Sequence, residues 1–282
     1  MSGALDPAQG GAGDARRRAI AVGDPMSEGR SRSWPQSVRS RTSGAARPTI
    51  SVVIPTLNEA ANLPHVLTRL PASVDEVVLV DGHSSDDTIK VARAIRPDVR
   101  IVLQDGRGKG NALVCGFAAA VGDIIVMLDA DGSTDPAEIP RFVEVLLSGS
   151  DFAKGSRFAP GGSSIDTTTP RRLGNRALNV LVNMRFGTRY SDLSYGYNAF
   201  WRHCLAHMQV TREGLKIETL INLRVARAGL RVAEVASIEH ERLFGETKLH
   251  AVRNALRVLR TIAAEWSRRA DGQSRSMSVG LS

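Results

Sequence analysis

The residues best suited to chemistry are Asp129-Ala130-Asp131, which directly follow an apolar run. If that run is a strand and stays extended, positions i and i+2 point the same way and the two carboxylates converge. Carboxylates held that close repel unless one is protonated or a cation lies between them. Oxygen ligands of this kind suit Mg2+ or Mn2+, which take one or two carboxylates together with substrate phosphates. Asp-Ala-Asp-Gly is also good turn composition, so residue types alone leave a solvated turn open. A second feature is the basic glycine loop GRGKGN (106–111). It is neither a Walker A loop nor GxGxxG, because no Ser or Thr follows Lys109 and Asn111 takes the last glycine's place. Ahead of a helix it could still meet an anion at the helix N-terminus; a plain connector fits as well. His203 and His207 are four apart in a helix-like stretch. No acid lies between them and no third ligand is evident, so they read as structural. Cys115 and Cys204 read as buried thiols. No Gly-x-Ser-x-Gly elbow supports a serine hydrolase.

These groups need a frame, and the sequence supplies an α/β pattern. Thr49–Pro55, Asp75–Asp81, Val99–Leu103 and Asp123–Asp129 read as strands, several of them β-branched and fully apolar as in a buried parallel sheet. Helices are predicted between them: Asn58–Leu70, Ser85–Ile95, Gly110–Ala120 and Pro136–Leu147, the last opening on proline. Alternating strands and helices imply a mostly parallel sheet flanked by helices. Ligands in such sheets bind beyond the C-terminal strand ends. Three of these ends carry polar residues: Pro55–Glu59, Asp81–Asp86 and Asp129–Asp131. In the second half, Phe152–Arg157 and Leu230–Ile238 read as strands, Leu173–Phe186 and Glu218–Ala228 as helices, and Pro160–Pro170 as a loop. From His250 to Trp266, Val252, Leu256, Leu259, Ile262 and Trp266 form an apolar stripe, with Arg253, Arg257 and Arg260 interleaved.

Composition limits the classes. The chain has 282 residues, is 42% apolar and carries a net charge of +8. That length suits one large domain or two small ones and a core that needs no staples. Two cysteines build no disulfide framework, no run reaches the ~18–20 apolar residues of a membrane span, and no secretory pattern opens the chain. The expected home is the cytoplasm, or its membrane face. The charge is unevenly placed. Residues 1–47 hold eight Arg against four acids and read as a disordered basic tail; 267–282 read as a second tail. Between them, residues 48–151 carry −7 and residues 152–266 carry +9. One half suits a cation and the other suits phosphate. Basic tails alone favour weak, salt-dependent contact with nucleic acid, and no specific nucleic-acid partner is expected.

Taken in order, these segments resemble the family 2 glycosyltransferases of the GT-A fold, in the branch of dolichol-phosphate mannosyltransferase and the bacterial polyprenyl-phosphate glycosyltransferases. The resemblance runs from about residue 49 to 250 through VVIPTLNEAANLP (52–64), EVVLVDGHSSDDT (76–88), GRGKGNAL (106–113), IIVMLDADGSTDPAEIP (124–140), GSRF (155–158), RRLGN (171–175), SDLSYGYNAF (191–200) and ERLFGETKL (241–249). It implies a single GT-A domain over 48–266 and an inverting transfer of a hexosyl group. The donor would be a nucleotide-sugar of the GDP-mannose or UDP-glucose type, and the acceptor a polyprenyl phosphate or, alternatively, a soluble hydroxyl compound. Pro55, Leu57, Glu59, Asp81 and Lys109 would bind the nucleotide-sugar. Asp129 and Asp131 would meet Mg2+ or Mn2+ on its diphosphate. Arg157, Arg171 or Arg172, Arg242 and Lys248 would face phosphate, and Asp192 and Glu218 match acidic positions near the acceptor. A hydroxyl acceptor needs a general base, for which Glu218 and Asp192 are the candidates; a phosphate acceptor is already ionised. The chain departs from the family pattern at Gly82, Asp87, Ser133, Trp201, Leu220 and Thr247, which bears on donor and acceptor identity more than on reaction class. The stripe of 250–266 could lie at a membrane interface or pack on the sheet.

Overall fold

The apolar runs form the middle of a seven-stranded sheet with the order β3-β2-β1-β4-β7-β5-β8. The computed structural model describes residues 47–165, 169–210, 216–245 and 256–267. The strands are β1 (Ile50–Thr56), β2 (Glu76–Asp81), β3 (Arg100–Leu103), β4 (Ile124–Met127), β5 (Phe152–Ser156), β7 (Asn198–Trp201) and β8 (Val232–Ala236). All neighbours pair in parallel except at β7, which runs antiparallel to both β4 and β5. A small parallel ladder joins β6 (Ser163–Ser164) to β9 (Ile238–Glu239). The sheet is therefore mostly parallel, as expected. The strand β7, within the GYNAF segment, was not expected.

Helices cover both faces. On one lie α1 (Leu63–Leu67), α2 (Thr88–Ile95) and α4 (Ile139–Leu147), packed on Val52, Ile54, Val77, Leu79 and Val126. The alternate residues Val53, Val78, Val80, Ile125 and Met127 face α3 (Lys109–Ala119) and α6 (Ile217–Arg227). This is the period-2 alternation of strands buried on both sides. Gly116 lets α3 lie close: a Cβ there would come within 2.3 Å of Val53 Cγ1 and 2.9 Å of Val80 Cγ2.

Several boundaries differ from expectation for local reasons. The helix expected from Asn58 begins only at Leu63, because Asn58 sits at φ 58° and Pro64 holds a first-turn position. Pro136–Glu138 is a 3-10 turn leading into α4, and α5 starts earlier than expected and spans Thr169–Phe186. The strand before the acidic pair ends at Met127, so Asp129 and Asp131 lie on a turn rather than in extended chain. Residues 256–267 form a helix, α7, that packs through Val258, Thr261, Ile262 and Glu265. The expected stripe is only partly buried: Ile262 is inside, whereas Leu256, Leu259 and Trp266 are exposed. Glu265 goes inward because Arg224 and Arg227 meet its two oxygens at 3.0 and 2.7 Å. A third apolar cluster, Val182, Tyr190, Leu193, Leu223, Val258 and Ile262, ties α5, α6 and α7 together. Residues 1–46 and 268–282 of the expected tails, Val252 and Lys248 lie outside the described residues, as does the Arg171 side chain, whereas Arg47, at the end of the first expected tail, pairs with Asp75 at 2.8 Å.

Candidate active site

The C-terminal ends of β1, β2 and β4 lie side by side in register, which gathers the three predicted polar segments at one edge. Asp81 is buried, and its two oxygens accept from the Ser84 amide (2.9 Å) and hydroxyl (2.6 Å). Across the gap, the Asn58 amide donates to Ser84 Oγ and Asn58 Oδ1 accepts from the Ser85 amide. Pro55 is half-buried at the end of β1, and Leu57 stands exposed beside it. These contacts fix the two loops against each other.

The acidic turn is held from two sides. Asp131 Oδ1 accepts from the Ser133 amide and hydroxyl at 3.0 and 2.7 Å, so that hydroxyl is spent on Asp131. Asp131 Oδ2 is 3.6 Å from Arg242 Nη1. Asp129 Oδ1 lies 2.6 Å from Lys109 Nζ, and the same ammonium is 2.9 Å from Glu218 Oε1. Lys109 thus reaches the site from the first residue of α3, Glu218 from the first turn of α6, and Asp129 from the end of β4. Burial pushes the Asp129 carboxyl upward, Lys109 opposes this, and Asp131 adds to it. Burial would also raise Glu218, but Lys109 and Lys216 outweigh it and bring the carboxyl down to about 2. The two carboxylates keep Lys109 charged and its pKa raised, against the effect of burial.

The Arg242 loop folds over this edge. Arg242 Nη2 pairs with Glu59 Oε1 at 2.5 Å, and its Nε donates to the Phe244 carbonyl. Asn62 holds the same turn, donating to Glu59 Oε2 and to the Phe244 carbonyl and accepting from the Phe244 amide. Glu59, expected in the nucleotide pocket, is therefore also the anchor of the Arg242 loop.

Arg157, expected to face phosphate, is an ion-pair hub. Its Nε and Nη2 donate to Asp192 at 2.7 and 3.0 Å, its Nη1 to Glu239 at 2.9 and 3.0 Å, and its Nη2 also to Ser194. Asp192 is fully buried; burial pushes its carboxyl upward, and Arg157 more than reverses this, leaving it below the usual range. Arg172 is exposed and lies over the Phe158 ring at 5.6 Å. His203 and His207 sit on the turns after β7, and Cys204 is buried with its thiol pushed up to about 12.

Some participants carry no sequence signal. Lys154 is wholly buried, donates to the Gly155 carbonyl, and pairs in register with Asn198. Glu239 emerges only from the folded arrangement, in its pairing with Arg157. Glu234, which accepts from Ser191, is of the same kind.

The donor set fits a hard divalent cation. Among the described residues the cation beside Asp131 Oδ2 is the distant Arg242, and the Asp131 side chain is a quarter exposed. Among the described residues no three metal-ligating side chains cluster. A Mg2+ or Mn2+ site completed by phosphate oxygens needs only one or two carboxylates.

Known proteins resemble this chain in sequence and fold. An undecaprenyl-phosphate mannosyltransferase of Micrococcus luteus is 31% identical over 212 residues, covering 71% of this chain and 87% of that protein. An undecaprenyl-phosphate 4-deoxy-4-formamido-L-arabinose transferase of Aeromonas hydrophila is 32% identical, with 71% of this chain and 62% of that protein covered. Glucosyl-3-phosphoglycerate synthase of Mycobacterium tuberculosis, crystallised with Mn2+, UDP-glucose and glycerol 3-phosphate, shares the fold. It superposes with a TM-score of 0.62 at 24% identity, over 83% of this chain and 85% of that one. The sequence profile of glycosyl transferase family 2 matches residues 51–208, more than half of the sequence. With its mostly parallel GT-A sheet and its acidic turn at the strand ends, this chain belongs to glycosyl transferase family 2.

Proposed function

We propose that the protein moves a hexosyl group, with inversion, from a nucleotide-sugar to a polyprenyl phosphate. The observation that carries the choice of acceptor is the state of the two candidate bases. Asp192 is bound by Arg157 in a buried ion pair, and Glu218, itself buried, is bound by the partly exposed Lys109. A hydroxyl acceptor would need one of them to take a proton, and both are held charged and engaged. A phosphate acceptor arrives ionised and needs neither. The two curated relatives, named for undecaprenyl phosphate, support the same reading.

In this reading Asp81 and the 57–59 segment position the nucleoside. Lys109 and Arg242 face the donor diphosphate from opposite sides of the acidic turn, where fixed cations offset charge on the leaving group. Asp131 is the carboxylate that holds Mg2+ or Mn2+, which when bound offsets further diphosphate charge. Arg172, exposed near Phe158, and Lys248 are the acceptor-side cations. Arg157 orders the loop that carries Asp192 and Ser194.

A polyprenyl acceptor requires access to a lipid surface. Among the described residues no helix is long and apolar enough to cross a membrane. Leu173, Val180 and Met184 of α5 and Leu256, Leu259 and Trp266 of α7 are exposed, and Arg185 stacks on Trp266 at 4.3 Å. Exposed Arg176, Arg257 and Arg260 accompany them. Apolar side chains among arginines suit peripheral binding to an anionic membrane. The reading is tested by incubating the protein with polyprenyl phosphate, Mn2+ and radiolabelled GDP-mannose or UDP-glucose. Label should enter the lipid phase with one donor; label that never leaves the aqueous phase with any common donor refutes it.

A further inference from the structure

Glu218 stands where a base would be sought, yet its surroundings give it another task. Its carboxylate is buried, and Lys109 Nζ lies 2.9 Å from Oε1 while also reaching Asp129 at 2.6 Å. Lys216 adds positive charge from the residue before α6. Beneath the cluster lies Gly196. Its φ is not in the left-handed region, so backbone freedom is not what the site needs from it. What matters is the missing side chain. A Cβ there would lie 3.0 Å from Lys109 Nζ, 3.2 Å from Asp129 Oδ2 and 3.7 Å from Glu218 Cγ. Three charged groups from three elements thus meet over bare backbone.

An ammonium has three N–H donors. Two of those on Lys109 are committed to Asp129 and Glu218, and the side chain is about one-third exposed (35%). We propose that Glu218 is a positioning residue acting through Lys109: it holds the ammonium against Asp129, with the third N–H free for an oxygen of the donor's diphosphate or sugar, and Gly196 makes the room. The proposal rests on the reading of this edge as a nucleotide-sugar site. A lysine stem is flexible, and without Glu218 only one carboxylate would restrain it.

The test compares Glu218→Gln, Glu218→Ala and Gly196→Ala in the full chain. Two quantities are read: affinity for GDP and UDP in the presence of Mn2+ by calorimetry, and kcat and KM for transfer. Glu218→Gln keeps an oxygen for Lys109, so its diphosphate affinity should stay within about 3-fold of wild type and its kcat within about 10-fold. Glu218→Ala and Gly196→Ala should each weaken diphosphate binding at least 5-fold and lower kcat/KM at least 50-fold. If Glu218→Gln is as inactive as Glu218→Ala while both bind diphosphate normally, Glu218 is a base and the proposal fails. Should Glu218→Ala not fold, the other two decide: normal binding in Gly196→Ala overturns the proposal. If wild type transfers nothing to polyprenyl phosphate, the functional reading falls, and the diphosphate affinities still judge the role of Glu218.

Discussion

Replacing Arg157 by Met tests whether this arginine holds the fold or waits for phosphate. Its guanidinium is 13% exposed and shared between Asp192, which has no exposure, and Glu239. The rings of Tyr195 and Phe158 lie 5.0 and 5.4 Å from it. Removing one partner of a buried pair leaves an uncompensated charge, which costs about 3–5 kcal/mol. For a domain of this size, with about 2–4 °C per kcal/mol, the melting temperature should fall by about 6–20 °C at pH 7. The pH dependence has a definite sign. In the wild type Asp192 is held below its ordinary value of about 4, so its pairing stabilises the fold above that value and is lost as pH falls through the depressed one. Without Arg157 the burial of Asp192 is opposed chiefly by Lys154, so its carboxyl moves up and it takes a proton more readily. The deficit of the variant should therefore be largest near neutrality and shrink toward pH 4. Arg157→Met with Asp192→Asn should recover at least half of the loss, because the more deeply buried of the two carboxylates left behind is then neutral. Thermal melts across pH for the three proteins are the assay. If Arg157→Met melts within 1 °C of wild type at pH 7, on the order of 0.5 kcal/mol or less, the hub does not support the fold and the reasoning is refuted.

Three other outcomes are expected. Asp131→Ala should reduce transfer at least 100-fold and abolish the extra thermal shift that Mn2+ gives a nucleoside diphosphate. Its own melting temperature should change little, because Asp131 lies on a partly exposed turn. Gly116→Ala should destabilise by about 1–3 kcal/mol in urea unfolding, since the new methyl would meet Val53 and Val80 across the α3–sheet contact. Leu256→Glu with Leu259→Glu should reduce co-sedimentation with anionic vesicles several-fold while leaving nucleotide-induced thermal shifts in place; unchanged sedimentation removes α7 from the membrane contact.

Much of the frame was legible because β1, β2 and β4 are short apolar runs ending in polar residues, and such ends place a site in a parallel sheet. The polar segments at Asn58, Asp81 and Asp131 do meet at one edge. What stayed hidden depends on partners distant in the chain. Glu265 falls outside the apparent stripe of α7, and Arg224 and Arg227, some forty residues earlier, make its burial tolerable. Arg157 looks like a phosphate ligand until Asp192 and Glu239 are seen around it. Gly196 lies in the SDLSYGYNAF segment, but the segment does not show that its role is the space it leaves for Lys109. The resemblance to relatives located the acidic turn and Glu218, but not that the latter is tied to a lysine.

The most direct test of the central claim sets polyprenyl phosphate beside the matching polyprenol, with the same donor, Mn2+ and detergent. Sugar should pass to the phosphate and not detectably to the alcohol, because both candidate bases, Asp192 and Glu218, are engaged in ion pairs. Transfer to the polyprenol at a comparable rate would contradict the account, since one of the ion-paired carboxylates would then have to act as a base.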